Sequence, residues 1–125
     1  MAERKFDFME TIGRKKRTVA GSFAPDTANA PTDVRGSGFS VVRTSQGLFT
    51  ITFTNTYGAL VSAVATLQLA STDNYMTQVG SYVAASRTLE IRVIDDAGAG
   101  QVQDVAANAN NRVNFVCVFD DSLTV

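Results

Sequence analysis

Residues 47–54 read Gly-Leu-Phe-Thr-Ile-Thr-Phe-Thr and carry the most informative pattern of this chain. Phe49, Ile51 and Phe53 fall on one face of an extended segment, while leucine and threonines fall on the other, because successive side chains of a strand point to opposite faces. One face is therefore apolar and the other mainly polar. This alternation predicts a half-buried β-strand.

The same period of two recurs later in the chain. The apolar positions are Val61, Ala63, Ala65, Leu67 and Leu69 in one segment and Leu89, Ile91 and Val93 in another, the latter alternating with Thr88, Glu90 and Arg92. Short turn-like connections separate the segments. We predict strands at about residues 39–43, 47–54, 59–70, 74–84, 87–94 and 112–119, and a short strand at 17–24.

A last strand, within residues 112–119, is apolar on both faces. Val113, Phe115, Cys117 and Phe119 line one face, and Val116 and Val118 line the other. Such a strand is central, or its outer face is covered by the N-terminal segment or by a second subunit. Val116 and Val118, with the turn-proximal Tyr57 and Tyr82, are therefore candidates for a subunit interface.

About seven strands with regular turns and no long helical pattern indicate an all-β fold. We predict an antiparallel β-sandwich, jelly-roll-like, with an extended N-terminal arm. Residues 25–38 collect proline, aspartate, asparagine and glycine, which favours a loop there. The predicted division is an arm and linker at residues 1–37 and a sandwich domain at residues 38–125.

The long segment from Asp95 to Asn111 is rich in alanine, glycine, aspartate and asparagine. Seventeen residues are long for a connection inside a small domain. We expect this segment either to be functional or to cross between the two sheets.

The N-terminal segment differs in charge from the rest of the chain. Residues 1–17 hold six basic and three acidic residues, a net charge of +3, and the remaining five basic and nine acidic residues give -4. Such an arm suits docking on an acidic partner surface. The candidate arm residues are the apolar anchors Phe6, Phe8, Met9 and Ile12 and the basic Arg14, Lys15, Lys16 and Arg17.

The chain offers little for catalysis. It has no histidine and one cysteine, which argues against a zinc site and against an activated serine or cysteine nucleophile. The adjacent carboxylate pairs at residues 95–96 and 120–121 could collect Ca²⁺ or act as acid and base, but solubilising loop ends are the favoured interpretation. We predict no enzyme activity, no cofactor and no metal, and a buried reduced thiol at Cys117.

The sequence also limits the classes of partner that the protein is expected to bind. The body is acidic and lacks a basic stripe with interleaved aromatic residues, so we expect no direct nucleic-acid binding. No apolar run approaches the roughly 20 residues needed to span a bilayer, and charges interrupt the first residues, so neither a membrane span nor a signal peptide is predicted. We expect synthesis in a reducing cytoplasm.

Three stretches, residues 38–53, 80–95 and 105–119, carry a resemblance to the small decoration, or cement, proteins of tailed-bacteriophage heads. They read GFSVVRTSQGLFTITF, GSYVAASRTLEIRVID and VAANANNRVNFVCVF. These are strand and turn phrases without a chemical signature. The resemblance covers about residues 38–120 and leaves the arm unplaced.

The resemblance implies a structural virion protein made in the bacterial host cytoplasm and located on the outer capsid surface. It would reinforce the head by bridging neighbouring major capsid protein subunits, and it would self-associate as a homodimer or homotrimer. The arm would then dock on the capsid. The alternative is a receptor- or carbohydrate-binding sandwich of a phage fibre or tail, which should present aromatic and carboxylate side chains together in a loop cleft.

Overall fold

Nine β-strands and no helix form the part of the chain that the computed structural model describes, which is residues 16–95, 101–106, 108 and 110–120. The strands are β1 (Lys16–Ala24), β2 (Thr32–Gly36), β3 (Phe39–Ser45), β4 (Leu48–Phe53), β5 (Leu60–Gln68), β6 (Tyr75–Val83), β7 (Thr88–Asp95), β8 (Gln101–Val102) and β9 (Arg112–Asp120).

The strands form two antiparallel sheets. Sheet I has the order β2-β1-β9-β5, and sheet II has the order β3-β4-β7-β6, with β8 pairing with the end of β7. Hairpins join β1 to β2, β3 to β4 and β6 to β7 within a sheet, and the other main connections cross between sheets. The predicted all-β, antiparallel sandwich is confirmed, whereas this order does not confirm the jelly-roll detail.

The core lies between the sheets and has the composition that the alternation predicts. Phe49, Ile51 and Phe53 of β4 are at most 1% exposed. The other inner side chains include Leu89, Ile91 and Val93 of β7 and Val113, Phe115, Cys117 and Phe119 of β9. Full burial of each such side chain is worth about 1.5–3 kcal/mol, so these positions supply most of the drive to fold.

The first described strand belongs to the sandwich. β1 pairs with β9 from Lys16↔Asp120 to Phe23↔Val113, and Val19 and Phe23 lie in the core. The strand expected at residues 17–24 is confirmed. The predicted start of the sandwich at residue 38 is corrected, because residues 16–36 already form two strands of sheet I. The remainder of the predicted arm, residues 1–15, lies outside the described residues.

β2 was expected to be loop. All five of its residues are exposed, so it has no apolar alternation that would mark it as a strand. Asp33 and Gly36 have positive φ angles of 47° and 112°, which suits turn-forming residues in an irregular edge strand. The pairing with β1 also shifts register between Ser22 and Ala24.

One predicted inner position is wrong. Val61 of β5 is 51% exposed, because the pairing of β5 with β9 shifts register between Leu60 and Ser62. A one-residue slip sends a side chain to the other face of a strand. After the bulge, Ala63, Ala65 and Leu67 pack against the core as predicted.

The long connection after β7 crosses from sheet II to sheet I, one of the two outcomes expected for it. A bidentate ion pair fastens it to sheet II, with Arg43 Nη2 2.6 Å and Arg43 Nε 3.1 Å from the Asp104 carboxylate. The Gly47 backbone N–H also donates to Asp104 Oδ1 at 2.9 Å. The hydrogen bond from Arg43, aided by that from Gly47, lowers the pKa of Asp104.

Candidate functional site

The outer surface of sheet I carries an apolar face at the centre of the sheet. Cross-strand register places Ala20, Val116 and Val64 side by side on β1, β9 and β5. Val64 is 57% exposed and Val116 is 45% exposed. We define the apolar face as Thr18, Ala20, Ser62, Val64, Val116 and Val118, the outward positions of two adjacent rows of this register.

Among the outward-facing side chains of β1, β9 and β5, charged ones occur only at the two ends of the strands. At one end Lys16 Nζ lies 2.7 Å from Asp120 Oδ1, and at the other end lies Arg112. The outward positions between these ends are hydroxyl, amide or aliphatic side chains. A desolvated contact with another protein would therefore bury no unpaired charge at the centre of this face.

Arg112 fixes the far end of the apolar face. Its side chain is 6% exposed, and it donates to Ser22 Oγ at 2.8 Å, to Asp33 Oδ2 at 2.7 Å and to the Asp33 carbonyl at 2.6 Å. The hydrogen bond from Arg35, together with the charges of Arg35 and Arg112, lowers the pKa of Asp33. The arginine thus ties β2 to β1 and β9.

The outer surface of sheet II has a different composition. Its outward positions on β4 and β7 include Thr50, Thr52, Thr88, Glu90 and Arg92. Arg92 Nε donates to Glu90 Oε1 at 2.9 Å. Val42 of β3 is one of the exposed valines of sheet II, at 54%, and it stands opposite Thr50 among these polar neighbours.

The four predicted interface residues do not share one surface. Val116 and Val118 lie on the apolar face, whereas Tyr57 and Tyr82 pack from the inner side against Phe119, with ring centroids 4.5 and 5.2 Å from it. The interface prediction is therefore corrected in its grouping, since the tyrosines are core-rim side chains. Burial raises the pKa of Tyr82, whose hydroxyl has no hydrogen-bond partner among the described residues.

The predicted arm residues are only partly described. Lys16 and Arg17 are the first residues of β1, and Lys16 pairs with Asp120. The other members lie outside the described residues: Phe6, Phe8, Met9, Ile12, Arg14 and Lys15.

A cleft opens at one end of the sandwich, between the β5–β6 connection and the β8–β9 connection. Its volume is about 250 Å³. Ser71, Asp73 and Tyr75 contribute to one wall and Asn108 to the other, with Leu69 and Val105 among the apolar lining. Sequence reasoning missed this cleft, because its walls are at least thirty residues apart along the chain.

One buried amide holds the two walls of the cleft in place. Asn111, which is 8% exposed, accepts a hydrogen bond from the Ala70 backbone N–H at 2.8 Å through its Oδ1. Its Nδ2 donates to the Ala106 carbonyl at 2.9 Å. Both ends of the amide are thus used to join the connections.

The described side chains that were considered for catalysis or metal binding do not lie together at one site. Cys117 is buried in the core, and burial raises the pKa of its thiol to about 11, which keeps it protonated and unreactive at neutral pH. Asp120 is engaged by Lys16, and Asp95 faces Tyr75 across β7 and β6. Their neighbours Asp96 and Asp121 lie outside the described residues.

Neither a metal-binding cluster nor a membrane-spanning helix is found among the described residues. Residues 16–95, 101–106, 108 and 110–120 contain no cluster of three or more acidic, cysteine or histidine side chains that could hold a metal ion. The same part of the chain contains no helix long and apolar enough to cross a membrane.

Comparisons of the chain with protein-family models, with curated proteins and with solved structures found no match.

Proposed function

We propose that this protein is a structural virion protein that binds the outside of a phage head and bridges neighbouring major capsid protein subunits. The observation that carries the proposal is the apolar face of sheet I. It lies on regular strands held by a packed core. Its two exposed valines, Val64 and Val116, are neighbours on β5 and β9, and Ala20 of β1 continues the row. A rigid apolar patch rimmed by polar groups is typical of protein–protein contact sites.

The chemistry of the rest of the molecule supports binding over catalysis. The described carboxylates are dispersed, and four of them, including Asp33, Asp104 and Asp120, are tied to basic side chains. The thiol is held in the core. An interaction protein needs only a stable scaffold and a surface, and the sandwich supplies both.

The arm extends the proposed binding surface. Residues 1–15 precede Lys16, which stands at the charged end of the apolar face, and their sequence carries four apolar anchors and two members of the basic cluster, Arg14 and Lys15. A segment at this place can lie along a neighbouring subunit while sheet I contacts the capsid or a second copy. Two linked contacts gain affinity from effective concentration, which suits a repeating lattice.

The experiment is co-sedimentation of the protein with heads that lack it, from the phage that encodes the chain. The test variant is Val64→Lys/Val116→Lys, which places two charges on the apolar face. Because buried apolar contacts at an interface centre carry much of the binding energy, we expect affinity to fall by about 100-fold or more. The matched control is Val42→Lys, an equally exposed valine on sheet II, which should bind as the unchanged chain does.

A chain that starts at Lys16 separates the two contacts. We expect weaker binding than the full chain, with the loss reduced at high salt because the basic cluster is screened there. Saturable binding that both the double variant and the shortened chain retain would overturn the assignment of the apolar face and the arm as the surfaces that contact the head. Failure of the full chain to bind heads would overturn the proposal outright.

A further inference from the structure

We propose that the cleft lined by Ser71, Asp73, Tyr75 and Asn108 binds one neutral sugar ring, a hexose or an N-acetylhexosamine. The cleft lies at an end of the sandwich, between two connections, and none of its lining residues belongs to the apolar face. The inference is therefore independent of the proposed capsid contact, and either can hold without the other.

The size of the cleft sets the size of the ligand. A volume of about 250 Å³ corresponds to roughly eight water molecules at about 30 Å³ each. Pockets for drug-sized ligands begin at about 300 Å³. The cleft thus accommodates a single ring, with any further sugar units outside it.

The walls are fixed before a ligand arrives. Asn111 joins the Ala70 N–H of one wall to the Ala106 carbonyl of the other, at 2.8 and 2.9 Å. Asn108 is held within its own connection, since its Oδ1 accepts from the Asn110 backbone N–H at 2.9 Å. A preformed site loses less entropy on binding a small, weakly held ligand.

The polar side chains of the cleft can form hydrogen bonds with the hydroxyl groups of a sugar. Burial, with smaller contributions from the Asp73 and Asp95 charges, raises the pKa of Tyr75, so its hydroxyl keeps its proton and remains a donor. Asp73 Oδ1 accepts from the Asn74 backbone N–H at 2.8 Å. Asp73 has no ion-pair partner among the described residues, so its carboxylate can accept hydrogen bonds from sugar hydroxyls.

The other residues that line the cleft suit the apolar and polar parts of a sugar ring and favour a ligand without negative charge. Leu69 and Val105 supply an apolar part for the C–H face of a ring, while Ser71 and Asn108 can both donate and accept. The carboxylate of Asp73 repels anions, and none of the described residues that line the cleft is basic. A neutral sugar fits these groups, whereas a uronic acid or a phosphorylated sugar does not.

The test is a titration of the isotopically labelled full chain, followed by NMR, with glucose, galactose, N-acetylglucosamine and glucuronate. We expect at least one neutral sugar to shift backbone signals of Ser71, Asp73, Tyr75 and Asn108, with a Kd of about 1–10 mM. Glucuronate should bind at least about fivefold more weakly, because its carboxylate meets that of Asp73.

Two conservative variants test the named groups. Tyr75→Phe and Asp73→Asn each remove one hydrogen-bonding function and keep the side-chain shape, and each should weaken binding by about fivefold or more. Tyr57→Phe and Asp26→Asn are matched controls outside the cleft and should leave the Kd unchanged, and the spectrum of each variant reports its fold.

Three outcomes would overturn the inference: no neutral sugar shifts the cleft signals, the shifts survive both variants unchanged, or glucuronate binds as tightly as the neutral sugars. Each can occur whether or not the protein binds heads, so the result is separate from the test of the proposed function.

Discussion

The outer faces of the two sheets lie on similar strands but differ in the side chains that they present. Sheet II presents threonines and the Arg92–Glu90 ion pair, with that arginine side chain 37% exposed. Sheet I presents aliphatic side chains at its centre, and its arginine, Arg112, is folded down onto Ser22 and Asp33 and is 6% exposed. The central rows of sheet II are thus suited to water and those of sheet I to a partner, while Met76, Ile94 and Val102 form an apolar row at one end of sheet II.

An exposed valine can therefore be interpreted only together with its neighbours. Val42 and Val116 have similar exposure, 54% and 45%. Val42 stands beside threonine on a polar face, whereas Val116 has Ala20 and Val64 on both sides. Scattered apolar residues are normal on protein surfaces, and a contiguous group is the informative feature.

The largest expected effect on the free energy of unfolding comes from Arg112 of sheet I. Its buried, hydrogen-bonded side chain contrasts with that of Arg92 on sheet II. Arg112→Met removes the guanidinium that holds Asp33 and Ser22, and we expect the free energy of unfolding to fall by about 2–4 kcal/mol. Arg92→Met, on sheet II, should change it by no more than about 0.5 kcal/mol, because that pair is half-exposed. Urea unfolding of both variants measures the difference, and equal losses would contradict the contrast.

Gly47 tests how sheet II holds its own long connection. Its φ angle is +69°, and a Cβ there would lie 2.5 Å from the Gln103 backbone nitrogen. We expect Gly47→Ala to lower the free energy of unfolding by about 1–3 kcal/mol, through strain and displacement of the connection.

Gly38→Ala is the matched control for Gly47→Ala. It has a similarly positive φ of +89° but open space around the added Cβ. Thermal unfolding should therefore show a smaller loss for Gly38→Ala. A loss as large as that of Gly47→Ala would mean that backbone strain alone explains both.

Asp104 is expected to make stability depend on pH at the sheet II connection. Its folded pKa is lowered below the unfolded value of about 3.9, so the stabilisation is present above that value and is lost as pH falls through the folded pKa. Asp104→Asn should be less stable at neutral pH, and its deficit should shrink as pH falls from about 5 towards 2. Parallel stability curves for the two proteins, measured by urea unfolding across this range, would contradict the assignment.

The smallest expected effect on stability comes from the two valines themselves. Val116→Thr and Val42→Thr should each change the free energy of unfolding by no more than about 0.5 kcal/mol, because both side chains are half-exposed. Their association should differ: if a second copy covers the apolar face, only Val116→Thr weakens self-association in analytical ultracentrifugation. Equal sedimentation of the two variants would remove the second copy as an occupant of that face.

The strands with one apolar face could be predicted from sequence, because burial imposes a period of two on them. β4 and β7 show this clearly through Phe49 and Ile91, which lie in the core. β2 could not be found, since an exposed edge strand has no such constraint. Val61 was misplaced because a bulge is a property of the pairing between strands, which one segment does not reveal.

The candidate sites were harder to predict than the fold. Val116 and Val118 were identified, because apolar side chains on both faces of one strand are visible in the sequence. The cleft and the Arg112 cluster were missed, since both join segments that are distant along the chain. The signals available were a lone arginine before the apolar run of β9 and the asparagine-rich segment preceding it.

The position of β9 has a consequence for biosynthesis. This strand is central in sheet I, between β1 and β5, yet it follows all the other described strands in the chain. Both β1 and β5 pair with β9. While the polypeptide emerges from a ribosome, these two strands therefore lack that partner until β9 has left the exit tunnel. Sheet II needs only earlier segments, so we expect a nascent chain to assemble that layer first and to complete the other layer once β9 has emerged, with a slow, non-local closing step.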